Sequence, residues 1–238
     1  MPRYKIADVV FSIETIYGFT KWLCRDYEYF GQEQNAFSVK VTEQDILKEK
    51  AKMPDYPDFF LESVVVYRRL CEFVLENSNG LIFHCSAIMV DNGAYLFTAP
   101  SGTGKSTHTR LWRELLGDKA VMINDDKPII RLIDGEFYVY GTPWKGKHDI
   151  GTNVRAKLKA ICKIRQEKEN VIEEISPGQM LPIILNQTIR PEKVEIMDKL
   201  LSLIEEMLKG TKLYSLGCNI SKEAAELSYN AMVKGEKI

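Results

Sequence analysis

Eight consecutive residues, Ala99-Pro100-Ser101-Gly102-Thr103-Gly104-Lys105-Ser106, carry the most specific chemistry in the chain. The two glycines let the backbone curl until successive N–H groups point into one concavity, which is a nest for an anion. Lys105 adds a cation able to reach terminal phosphates, and the Ser106 hydroxyl is a hard oxygen ligand suited to Mg²⁺. The apolar run 94–98 before the loop reads as a buried strand. The stretch 107–116 after it has apolar residues 111, 112, 115 and 116 at helical spacing. Strand, glycine loop and helix in that order make a phosphate-binding loop, because the helix N-terminus adds its partial positive charge to the nest. The candidate nucleotide-binding set is therefore Ser101, Gly102, Thr103, Gly104, Lys105, Ser106 and Thr107. Ala99 replaces the usual first glycine, a small change that keeps the turn. The bland alternative is a ligand-free turn, which the Gly-Lys-Ser ending disfavours.

A second group lies 20 residues after Lys105, where the apolar stretch 120–123 ends in Asn124-Asp125-Asp126-Lys127. A carboxylate at a strand end is where a Mg²⁺–nucleotide site needs one. Two adjacent aspartates allow a division of labour: Asp126 on the metal or its waters, Asp125 accepting a hydroxyl proton. Taken alone the same residues make an ordinary solvated turn. His84 is expected mid-strand, on the hairpin partner of the strand that delivers the loop, facing the same side as Ile82 and Ser86. It reads either as a satisfied strand histidine or as a group that neutralises phosphate charge or relays a proton. The glycine-rich stretch 141–151, with Trp144, Lys145, Lys147 and His148, is a surface crossover or a lid over the phosphates. Arg155, just beyond it, is a candidate transition-state clamp or a surface salt bridge.

These groups must be held by one soluble α/β chain. At 238 residues, 45% hydrophobic and 27% charged, it has the composition of an ordinary globular protein. Lys and Arg number 32 against 33 Asp and Glu, so no basic excess points to nucleic acid or an anionic membrane. Five scattered cysteines show no paired or metal-ligand spacing and suggest buried, reduced thiols. No signal peptide is evident, and no uncharged apolar run reaches the roughly 18 residues of a membrane span. The expectation is a cytoplasmic protein.

Strands are expected over 4–15 and 36–42, with an aromatic-rich piece between them (Phe19, Trp22, Tyr27, Phe30) that reads as packing rather than a binding surface. Asp58 is expected to cap a helix ending at Asn77-Ser78-Asn79-Gly80. A strand over 80–90 then turns at Asp91-Asn92-Gly93 into 94–98, an antiparallel hairpin. Further strands are expected at 129–133, 136–140, 157–165, 170–175 and 212–216, and helices at 178–187, 191–209 and after Ser221. The chain divides into an N-terminal α+β lobe, 1–79, and a nucleotide-binding core, 80–238.

The loop 101–106, the preceding hairpin with His84 and the following Asn124-Asp125-Asp126 resemble the HPr kinase/phosphorylase and phosphoenolpyruvate carboxykinase superfamily. The resemblance covers about residues 80–165, more weakly the rest. It implies a P-loop core with a mixed sheet, the antiparallel hairpin before the loop and flanking helices. It also implies ATP and Mg²⁺ as cofactors, Lys105 on phosphates, Ser106 on the metal with Asp126 in support, His84 and Asp125 in proton transfer, and Arg155 in a later catalytic loop. Thr107 stands where the familiar members carry glutamate, and the N-terminal region is shorter than theirs. The chain is more similar to short stand-alone members with a Gly-Thr-Pro-Trp loop, some of which phosphorylate a serine of a ribosomally made peptide. The implied activity is an ATP-dependent serine kinase acting on a peptide or small protein. A homo-oligomer is compatible with this, and neither nucleic acid nor membrane is expected as a partner. A small-molecule kinase on the same core, or a non-catalytic nucleotide-binding regulator, is the alternative.

Overall fold

A tight turn breaks the strand expected over 4–15. Ala7 and Asp8 both take positive φ, 51° and 58°, the geometry of a two-residue hairpin turn. Two strands result, β1 (Arg3–Ile6) and β2 (Val9–Glu14), paired antiparallel from Ile6 and Val9 outward. The computed structural model describes residues 1–191 and 193–236, and they form two units, Met1–Ser78 and Asn79–Ile238.

In the first unit, α1 (Phe19–Leu23) carries the aromatic piece, and β3 (Phe37–Lys40) adds in parallel to β2. Phe37 stacks between Phe11 and Phe73, ring centroids 4.9 and 4.3 Å away. Trp22 and Phe30, by contrast, are exposed. A helix not anticipated from sequence, α2 (Glu43–Lys52), begins in a capping box. Asp45 N–H donates to Thr42 Oγ1, and Thr42 N–H donates to Asp45 Oδ2. Asp58 does not cap α3 (Asp58–Asn77): the cap position is Pro57, and the Asp58 carboxylate accepts from Lys50 Nζ at 3.2 Å. The positive φ after α3 falls on Asn79 (46°) and not on Gly80, which is already in a strand. The fully buried Glu62 accepts from Ile16 N–H, Tyr17 N–H and the Thr20 hydroxyl, which ties the approach to α1 onto α3.

In the second unit the strand expected over 80–90 is two, β4 (Gly80–Ile82) and β5 (Ser86–Val90). The break comes from a change of partner. The turn Asp91-Asn92, φ 49° and 61°, joins β5 to β6 (Gly93–Thr98) in the expected antiparallel hairpin. Gly93 opens β6, and a Cβ there would stand 2.7 Å from Lys159 Cγ. The glycine loop leads into α4 (Lys105–Leu116), and β7 (Ala120–Asn124) returns antiparallel to β5. Next come β8 (Ile129–Ile133), which pairs with β4, and β9 (Glu136–Tyr140), joined to it through Asp134-Gly135. The long β10 (Arg155–Gln166) pairs antiparallel with β9 at its start and parallel with β6 through its middle.

The remaining elements are β11 (Val171–Glu174), α5 (Pro177–Gln187), α6 (Val194–Gly210), β12 (Lys212–Cys218) and α7 (Lys222–Tyr229). Ser221 caps α7 as expected, accepting from Ala224 N–H. The turn 167–169 does not close a hairpin, because β12 lies between β10 and β11. The sheet order is β4-β8-β9-β10-β6-β5-β7, with β12 on β10: an α/β unit with a mixed sheet. Among the described residues no helix is long and apolar enough to cross a membrane.

One hydroxyl fastens α4 to this unit. Ser228, on α7, donates to Ala225 C=O at 3.1 Å, which uses its single hydrogen. It therefore accepts from Trp112 Nε1–H at 2.8 Å and from His108 Nε2–H at 2.9 Å, so His108 is the Nε2–H tautomer. Trp112 is fully buried, edge-on to Phe97 and Tyr229. Burial lowers the His108 pKa to about 4. The unfolded chain takes up this proton below its ordinary 6.5, while the folded chain refuses it until about 4. Stability supplied by neutral His108 is thus complete above pH 6.5 and drains away toward pH 4, by at most about 1.4 kcal/mol per unit. Urea unfolding between pH 4 and 7 should show a shallower pH slope for His108→Gln than for the unaltered chain; identical slopes would contradict the assignment.

Candidate active site

The glycine loop has the backbone its sequence requires. Gly102 and Gly104 sit at φ 81° and 116°, in a region open to glycine and strained for any other residue. Nothing lies within 4 Å of where a Cβ on either would stand, so the loop faces open space. Gly104 is the N-cap of α4 and Lys105 its first residue, so the free N–H groups of the first turn border that space. Thr103 N–H turns back to Pro100 C=O, and Gln166, at the end of β10, donates Nε2–H to Thr103 C=O at 3.2 Å. Lys105 is buried, 8% exposed, with Nζ donating to Ala99 C=O at 3.0 Å. Desolvation lowers its pKa; the charges of Cys85, Asp126 and Asp125 act in the opposite direction. The Ser106 hydroxyl has no side-chain hydrogen-bond partner among the described residues.

The carboxylate pair is built at the end of β7 by Asn124. Its buried side chain accepts from Asp126 N–H (2.8 Å) and Lys127 N–H (2.7 Å) on Oδ1, which curls the chain into an Asx turn. Its Nδ2 donates to Thr142 C=O and Oγ1. The turn sends the two aspartates to different partners. Asp125, buried, accepts from Ser86 Oγ on Oδ1 at 2.6 Å. Asp126 takes His84 Nε2 on Oδ1 at 2.9 Å and Lys127 Nζ on Oδ2. Burial works to raise the Asp126 pKa, but the His84 hydrogen bond and the Lys127 charge outweigh it and hold the carboxyl below the usual range.

His84 is not mid-strand. It lies in the break between β4 and β5, where its N–H donates to Gln187 C=O and Nδ1 meets Gln187 Oε1 at 2.7 Å. The Asp126 carboxylate accepts, so Nε2 carries a hydrogen, and the Gln187 amide, with an oxygen and an NH₂ to offer, can serve Nδ1 in either form.

The stretch 141–151 packs directly on this group. Asp125 N–H donates to Ile150 C=O, Gly151 bridges to Asn124, and Thr152 N–H donates to Ile123 C=O. Trp144 is buried, which makes it a packing anchor, whereas Lys147 and His148 are exposed. Gly146, at φ 73°, touches Asp126: a Cβ there would lie 2.8 Å from Asp126 Cβ.

The structure therefore brings His84, Lys105, Asp125 and Asp126 into one neighbourhood. Arg155 opens β10 opposite Tyr140, three residues after Thr152, whose N–H donates to Ile123 C=O. Its guanidinium lies over the Tyr138 and Tyr140 rings and donates to Tyr140 OH at 3.3 Å. Three further residues hold the site and were not singled out from sequence: Ser86, Gln187 and Lys127. Ser86 had a signal, sharing the His84 face. Gln187 is 103 residues from His84 and had none.

No protein-family model matches the sequence, and no curated protein matches it. Among solved structures, the HPr(Ser) kinase/phosphatase from Coxiella burnetii aligns over 66% of this chain and 99% of its own, at 10% identity and a TM-score of 0.36. The chemistry of the site has to come from the chain's own residues.

Gly146→Ala forces a side chain into left-handed backbone and against Asp126. A loss of about 1–2 kcal/mol in urea unfolding, with shifted His84 ring resonances, is the expected outcome. Unaltered stability together with unaltered resonances would contradict the packing of this loop on Asp126.

Proposed function

We propose that this chain is an ATP- and Mg²⁺-dependent phosphotransferase that moves the terminal phosphate to a hydroxyl. The observation that carries the reading is the buried Lys105 ammonium at the N-terminus of α4, behind two left-handed glycines and acted on by the charges of Asp125 and Asp126. The resemblance to the short HPr-kinase-like proteins supports a serine of a peptide or small protein as acceptor.

The residues present fit a divalent ion that arrives with a nucleotide. Among the described residues no cluster of three His, Cys, Asp or Glu could hold a metal alone. The Ser106 hydroxyl and the Asp126 carboxylate are hard oxygen donors, the kind Mg²⁺ combines with phosphate oxygens and water. When bound, Mg²⁺ would neutralise charge on the transferring phosphoryl group.

The protein's own groups do the rest. Loop N–H groups and Lys105 would bind the phosphate oxygens and orient the terminal phosphorus for in-line attack. Lys105 Nζ exchanges the Ala99 carbonyl for a phosphate oxygen, a stronger charge-assisted bond. Asp125 is the base: Ser86 occupies Oδ1, which leaves Oδ2 for the hydroxyl of the acceptor. As that proton passes to Asp125, the substrate oxygen bonds to phosphorus and the bond to the leaving ADP oxygen breaks. His84, paired with Asp126, would neutralise phosphoryl charge or relay a proton.

Turnover of labelled ATP with a lysate from the source organism, together with direct nucleotide titration, tests the reading. Lys105→Ala should lose both binding and turnover. Asp125→Asn should bind nucleotide within about threefold of the unaltered chain and lose roughly 10²–10⁴-fold in transfer. Binding without transfer in the unaltered chain would leave a nucleotide-binding regulator instead.

A further inference from the structure

The glycine loop leaves the end of β6, while the start of the same strand borders a cavity of ≈ 580 Å³ that the phosphotransfer reading does not use. This cavity lies among the starts of β9 and β12, the early part of β10 and the end of α6. Its floor is apolar, made by the buried side chains of Tyr95, Phe137, Leu158 and Met232. Two departures from regular backbone shape it. Between Leu158 and Ala160 the pairing of β10 with β6 slips by one residue, so Lys159 is the extra residue of a bulge, and a bulge re-aims the side chain it carries. The Lys159 stem lies against Gly93, where a Cβ would stand 2.7 Å from its Cγ. On another wall a single π-helical turn, Asn230–Lys234, carries Met232, and such turns frequently mark functional sites.

The rim is charged, and its charges are unevenly partnered. Lys157 Nζ is bound to Glu136 Oε2 at 2.5 Å. Lys159 and Lys212, on neighbouring strands, form no ion pair among the described residues. Glu206 lines the α6 side and is likewise unpaired among them. We propose that this cavity binds an amphipathic organic anion, its apolar body on the floor and its anionic head group against Lys159 and Lys212. Three observations select that class. The volume falls in the range of small-molecule sites and far exceeds that of a buried water. A floor of two aromatic rings, a leucine and a methionine takes an apolar body, which a simple inorganic anion lacks. Two ammonium groups without counter-ions attract an anion, and the Glu206 carboxylate repels it, which keeps the head group on the β10–β12 side. The proposal does not rest on the phosphate loop, which follows the other end of β6.

The probe is 8-anilinonaphthalene-1-sulfonate, an amphipathic anion whose fluorescence rises out of water; N-phenyl-1-naphthylamine is the same body without the charge. Titrated into the full chain, the sulfonate should bind more tightly than the amine and shift the backbone amides of Tyr95, Phe137, Leu158 and Met232. Lys159→Gln combined with Lys212→Gln should weaken the sulfonate by about fivefold or more and leave the amine unchanged, while Glu206→Gln should tighten the sulfonate. All three side chains are exposed, so the fold should survive, which urea unfolding checks; the amide shifts decide the question with no substitution at all. Equal affinity of the two probes, an unchanged sulfonate affinity in the double variant, or shifts confined to other residues, such as the exposed Trp22 and Phe30 of the first unit, would overturn the site.

Discussion

A lysine ammonium held out of water is the constraint on which the rest of the second unit depends. Lys105 is 8% exposed, and burial alone favours its neutral form. Among the described residues, the Ala99 carbonyl and the nearby acidic groups compensate. The helix that carries it is fastened three and seven residues later. His108 and Trp112 both donate to the one Ser228 hydroxyl, and Trp112 fills a fully buried slot between Phe97 and Tyr229. A polyanion placed on the loop relieves the same stress, since it supplies the charge partner that burial denies.

The sheet puts side chains of different chemistry on the two flanks of a single strand. β6 delivers the glycine loop; β5 and β7 bring the carboxylates, and β10 and β12 bring an apolar wall. The carboxylates stay distinct because Asn124 bends the chain between them. Asp125 is turned into the protein against Ser86, while Asp126 is held by His84 and Lys127.

Local signals in the sequence were read well where the structure is local. The Asp91-Asn92 and Asp134-Gly135 turns, the glycine loop and its helix, and the Ser221 cap all depend on a few neighbouring residues and stand where their residue types place them. What escaped was set by distant partners. The run 80–90 is uniformly apolar, yet β4 pairs with β8 and β5 with β6, and the change of partner is what frees His84 from the ladder. Arg155 follows the glycine-rich loop in sequence, and its guanidinium goes to the Tyr138 and Tyr140 rings of the neighbouring β9. Gln187 reaches His84 across 103 residues. Two local features were also missed. The Thr42–Asp45 capping box announces α2, and Ala7 takes a positive φ that alanine rarely adopts.

The central claim is that the backbone around Gly102 and Gly104, with Lys105, grips an anionic phosphate chain. The backbone amide resonances of residues 102–106, followed as a non-hydrolysable ATP analogue and Mg²⁺ are added, report on it most directly. Large, saturable shifts of the Gly102, Gly104 and Lys105 amides are the predicted result. Amides that stay in place while the analogue binds elsewhere on the chain, or does not bind at all, would contradict it.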